Sequence, residues 1–116
     1  MFIEIFSIML AMAAPKADPV AEARKVYSNC LVDITNESLD KKDDQAAYTA
    51  KVETACPAEQ TKFSDLVIAS ERSFGSNQSD AADMAKEEIS SLQEKYTSSY
   101  GDFAKDNTRP TKQKVK

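Results

Sequence analysis

Apolar side chains recur at steps of three and four along three stretches of the chain. Val20, Ala23, Tyr27, Cys30 and Ile34 form the first stripe; Tyr48, Val52, Cys56, Glu59, Phe63, Leu66, Ser70 and Phe74 the second; Ala82, Ala85, Ile89, Leu92, Tyr96, Ser99 and Phe103 the third. This spacing is that of one face of an α-helix, and it winds slowly enough for each stripe to face a partner helix along its length, as in a coiled coil. Asp18-Pro19 is a helix start, with Asp as N-cap and Pro at the first helical position, where its missing N–H costs nothing. The run Asp40-Lys41-Lys42-Asp43-Asp44 has no apolar residue and predicts a turn, with Asp43 or Asp44 as the next N-cap. Gly75 to Ser79 predicts the second turn, with Ser79 or Asp80 capping the last helix.

The expected fold is therefore all-α, an antiparallel helical hairpin extended to a three-helix bundle. Pro57 interrupts the middle stretch. It either kinks one helix or divides it in two, and the second case makes a four-helix bundle. With two Gly, four Pro and abundant Ala, Glu, Lys and Asp, composition favours helices over a sheet with many hairpins. The expected core is Val20, Ala23, Tyr27, Leu31, Ile34, Val52, Phe63, Leu66, Ile89, Leu92 and Tyr96, and Val67, Ile68, Phe74 and Met84 are expected to be covered only in part, which suits a homodimer.

Cys30 and Cys56 are the two cysteines, and their positions average to residue 43, inside the polar run that predicts the first turn. Residues equidistant from the turn of an antiparallel hairpin lie side by side, so a Cys30–Cys56 disulfide is expected to staple the fold. Disulfides persist in oxidising compartments. The first residues, MFIEIFSIMLAMAA, have the length of a signal-peptide apolar region and end in an A-x-A pattern, although Glu4 and the lack of Lys or Arg before the apolar run are atypical. Residues 1–17 thus read as a signal peptide and the protein as periplasmic or secreted, without a transmembrane span in its mature form. An N-terminal helix packed on the body, or an anchor lying on a membrane, is the alternative. The helical domain is expected over 18–103.

The tail, 104–116, reads as disordered and basic. Lys105, Arg109, Lys112, Lys114 and Lys116 face a single Asp there, whereas residues 1–104 carry a net charge of −8. An acidic body repels nucleic acid, so no nucleic-acid partner is expected, and those five cations are the candidate contacts to an anionic envelope surface.

The chain has no His and no Trp, which removes the commonest general base and zinc ligand. Asp40 to Asp44 lack the glycine and bidentate glutamate of a calcium loop, and Asp80, Asp83 and Glu87 read as a solvated acidic face. No cofactor or metal is expected, and no enzymatic activity; Glu59 is the one charge on an apolar stripe, and a pocket lined by Glu59 and Tyr96 would revive an enzyme reading. The leading expectation is a non-enzymatic exported protein acting by contact with another protein or with the envelope surface. The alternative is a periplasmic holdase, because a thin stapled core that opens at low pH would expose its apolar stripes while the disulfide keeps the helices together; this resembles small periplasmic acid chaperones in size, helicity and one disulfide, with no motif shared.

Overall fold

The structure, a computed structural model, describes residues 18–115. The signal-peptide reading of residues 1–17, with its alternatives, and Lys116 lie outside the described residues. Among the described residues four helices follow one another: α1 (Pro19–Lys41), α2 (Gln45–Thr54), α3 (Pro57–Ser73) and α4 (Gln78–Asp106). The fold is all-α, and Pro57 divides the middle stretch. Continuing the helix through Pro57 would drive its ring against the carbonyl four residues back and leave that carbonyl without its N–H. The chain instead runs extended at Ala55 and left-handed at Cys56 (φ 58°, ψ 49°) before Pro57 opens α3.

Asp18 accepts the Val20 N–H at 3.0 Å and Asp44 accepts the Ala47 N–H at 2.8 Å, so both expected caps are in place. At the second turn the cap is Asn77 in place of the expected Ser79 or Asp80: its side chain accepts the Asp80 N–H at 2.8 Å, and Asp80 falls in the positive first turn of α4. Helix α1 ends at Lys42 in the left-handed region (φ 57°), the conformation in which a Cβ is penalised. Lys42→Gly is expected to raise stability by about 0.5–1 kcal/mol, the relief of that penalty less the added flexibility of the unfolded chain; urea unfolding measures it.

Helix α3 packs on α4 and α1, and α2 bridges α1 and α4. The 29 residues of α4 span about 44 Å, which makes the bundle elongated. Tyr27, Leu31, Val32, Tyr48, Val52 and Phe63 are all but inaccessible at its centre, with Tyr96 and Tyr100 beside them. Val20, Ile34, Leu66, Ile89 and Leu92 are half-buried against this cluster. Val67, expected to be partly open, is buried, while Phe74 at the α3–α4 turn is 83% exposed.

All four tyrosines are packed inside, and each hydroxyl has a protein partner. Tyr96 pairs with Ser28 and Tyr48 with Thr35. Tyr27 accepts from the amides of Gln60 and Gln93 at 3.2 and 3.1 Å, and Tyr100 donates to the Asp43 carbonyl at 2.7 Å while its ring stacks on Tyr48 at 4.0 Å. Burial pushes the Tyr48 phenol up to about 12 against the opposing effect of its hydrogen bond with Thr35, and burial together with Asp43 and Asp44 raises Tyr100. A phenol held neutral contributes stability that is fully present below its ordinary value of 10.0 and is lost as pH rises toward about 12. Alkaline titration followed by tyrosinate absorbance is expected to show Tyr48 and Tyr100 ionising late, together with loss of helicity.

Candidate functional site

Residues 107–115, expected to be disordered, lie along the outward face of α1. Helix α4 runs on to Asp106, three residues past the expected end, so Lys105 belongs to its last turn. Asn107, left-handed at φ 56°, then turns the chain back, and the Thr108 N–H closes on the Phe103 carbonyl at 3.0 Å. From there the tail descends antiparallel to α1. Arg109 pairs with the Asp40 carboxylate and donates to the Asn36 carbonyl at 3.2 Å. Lys112 meets Asp33 at 3.0 Å. The Asn29 side chain embraces the backbone of Gln113, accepting its N–H at 2.7 Å and donating to its carbonyl at 2.8 Å. The physical reason for the order is complementarity: the net acidic body presents Asp33 and Asp40 on the same face as two asparagines, and a basic extended chain brings cations to the carboxylates and unpaired backbone groups to the asparagine side chains.

Val115 ends the described tail on a groove of about 550 Å³ between α1 and α3, which Pro19, Ala23, Val26 and Leu66 line with apolar surface and Glu59 and Lys62 rim with charge. Val26 is 40% exposed there. Two of the five cations expected to meet an anionic surface, Arg109 and Lys112, are thus engaged within the chain, whereas Lys105 and Lys114 make no ion pair among the described residues.

Cys30 and Cys56 are joined by the expected disulfide, with Cα atoms 6.2 Å apart. The bridge ties the middle of α1 to the α2–α3 break, where Cys56 occupies the N-cap position of α3. The Glu59 carboxylate lies within 4.8 Å of both sulfurs. Sulfurs bonded to each other are not thiolate ligands, so the oxidised trio holds no metal-binding set. Glu59 and Tyr96 do not share a cavity: Glu59 rims the groove, while Tyr96 is buried against Ser28.

In the polar turn every carboxylate is engaged. Asp40 holds Arg109, Asp44 caps α2, and Asp43 binds Lys51. The Lys51 ammonium and then the Ser38 hydroxyl hold Asp43 below its ordinary value of 3.8. That contribution is present above this value and is lost as pH falls through the lowered one.

Together these features define a disulfide-stapled four-helix bundle carrying an extended strap on its first helix. The chain matches no family model, no curated protein and no solved structure. Among the described residues no helix is long and apolar enough to cross a membrane.

Proposed function

We propose that this is a non-enzymatic, exported protein, periplasmic or secreted, that acts by contact with another protein through the outward face of α1. The observation that carries this reading is the side-chain embrace of a backbone, Asn29 with Gln113, beside a groove that leaves Val26 and Leu66 accessible. Asparagines that pair with main chain, flanked by carboxylates and ending on apolar surface, are the elements of a peptide-recognition face. The single disulfide supports export, since such bonds are rare where thiols are kept reduced. Contact with an anionic envelope surface through Lys105, Arg109, Lys112, Lys114 and Lys116 would require Arg109 and Lys112 to leave α1 first, and high salt would abolish it. The holdase reading draws on the same groove, which only a short segment covers.

A photo-crosslinking residue placed at Val26 in the protein expressed in its own host tests the reading. Discrete adducts from position 26, absent when the probe is moved to the exposed Asp65, are expected. Equal labelling from both positions, or a protein retained in the reducing cytosol, would count against it.

A further inference from the structure

The contacts between tail and α1 repeat. Arg109 with Asp40 and Pro110 with Asn36 form one unit, Lys112 with Asp33 and Gln113 with Asn29 form a second, and Val115 at the groove with Val26 begins a third. Each unit advances three residues in the tail and retreats seven in the helix. Seven helical residues rise about 10.5 Å and return to nearly the same face. Three residues of extended, polyproline-like chain cover about 9.3 Å and likewise return to the same side. The two periods match, so α1 presents a ladder on which an extended chain with a contact residue at every third position, two cations and then an aliphatic, stays in register.

The two amide rungs are unequal. Asn29 makes both bonds to Gln113. Asn36 reaches the Pro110 carbonyl only at 3.5 Å, and its Oδ1 is buried with no hydrogen-bond partner. The cause is chemical: in the seven-residue repeat Asn36 is the counterpart of Asn29 and Pro110 that of Gln113, whose N–H Asn29 Oδ1 accepts, and proline has no N–H to give. The chain's own tail therefore leaves one rung half made. Its ion pairs are open to water, with Asp40 and Asp33 side chains 65% and 59% exposed, the condition in which such pairs hold weakly.

We propose that the α1 face of Asp40, Asn36, Asp33, Asn29 and Val26 is a binding site for an extended basic peptide from a partner protein, of the form cation-x-x-cation-x-x-aliphatic with a non-proline second residue, and that the tail is its exchangeable resident occupant. The inference rests on the contact reading above and names the partner's chemistry. Charge complementarity selects a basic segment, the matched periods select an extended one, and the orphan acceptor on Asn36 gives an incoming peptide a hydrogen bond that the tail cannot make.

The test uses the full chain and labelled synthetic peptides in a fluorescence-anisotropy titration. A variant carrying Arg109→Ser, Lys112→Ser and Val115→Ser frees the site. It is expected to bind the tail peptide NTRPTKQKVK about tenfold or more tightly than the unaltered protein does, because an occupied site lowers apparent affinity by its free fraction. The peptide NTRATKQKVK, which restores the missing N–H, is expected to bind about three- to tenfold more tightly than the proline form, and Asn36→Ala is expected to erase that difference. Adding Asp33→Lys and Asp40→Lys is expected to abolish binding of both.

A peptide of the same composition with its cations adjacent, bound as well as the spaced one, would overturn the proposal by reducing the site to unspecific charge attraction. So would a freed site that binds neither peptide while helicity and the disulfide are intact. Concentration-dependent dimers of the unaltered protein that the three serine substitutions dissolve would assign the face to a second copy's tail and overturn the partner reading. These assays are made on purified protein, so a failure of export leaves their outcome unchanged.

Discussion

Replacing both Cys30 and Cys56 by alanine is expected to lower stability by about 3.5 kcal/mol, and to lower the melting temperature by roughly 15–25 °C for a domain of this size. The magnitude follows from the loop: the two residues are 26 apart in sequence, and releasing that constraint returns the corresponding entropy to the unfolded chain. The staple matters more here than loop length alone conveys, because it holds the α2–α3 break. Cys56 is left-handed, α3 starts there without a side-chain cap, and α2 has only ten residues, too few to persist without tertiary support. Urea unfolding of the double alanine variant, with helicity as the signal, measures the loss. A decrease below about 1 kcal/mol would show that packing of α2 against α1 and α4 suffices without the bridge.

Phe63→Ala is expected to cost about 3–5 kcal/mol, the range for emptying a fully buried aromatic site. Phe63 is inaccessible to solvent, its ring lies 6.2 Å from that of Tyr27, and the Arg24 guanidinium stands 5.4 Å from its centre. Three helices meet at this point: Arg24 and Tyr27 come from α1, Phe63 from α3, and α4 contributes Glu88 to Arg24 and Gln93 to the Tyr27 hydroxyl. The cavity would therefore open where the bundle has least freedom to collapse. Phe74→Ala provides the contrast, since that ring is already in water and its removal is expected to change stability by less than about 0.5 kcal/mol. Thermal unfolding of the pair, compared with the unaltered protein, separates the two cases.

Local signals account for what the sequence made legible. The Asp18 cap and the interruption at Pro57 are decided by groups within a few residues of one another, and the cysteine pair follows from symmetry about the first turn, whereas the choice of Asp44 over Asp43 and of a break over a kink is settled only by the chain path. The polar interior was not legible by hydropathy. Ser28, Thr35 and Ser38 are buried on α1, yet each reads as a surface residue until tyrosines from α2 and α4 bring hydroxyls to Thr35 and Ser28. Asn77, Ser79 and Asp80 are equally good capping types, and only the backbone path chooses among them.

The strap was missed for a related reason. A short charged tail lacks the apolar content that drives folding, so its own composition predicts disorder. Its order comes from α1, where Asn29, Asp33, Asn36 and Asp40 step by four, three and four along one outward face and look like an ordinary solvated surface. Two periodicities were visible in the residues, sevens in the helix and threes at Arg109, Lys112 and Val115, but nothing in either segment alone says that they meet.

The proposed function requires export from the reducing cytosol, with the Cys30–Cys56 bridge formed outside it. Intact mass of the protein recovered from its own host, after alkylation of free thiols and with or without reduction, tests this most directly. The predicted result is a chain beginning near Ala14 or Asp18 in which Cys30 and Cys56 resist alkylation until reduced. A full-length chain with both thiols freely alkylated would contradict it.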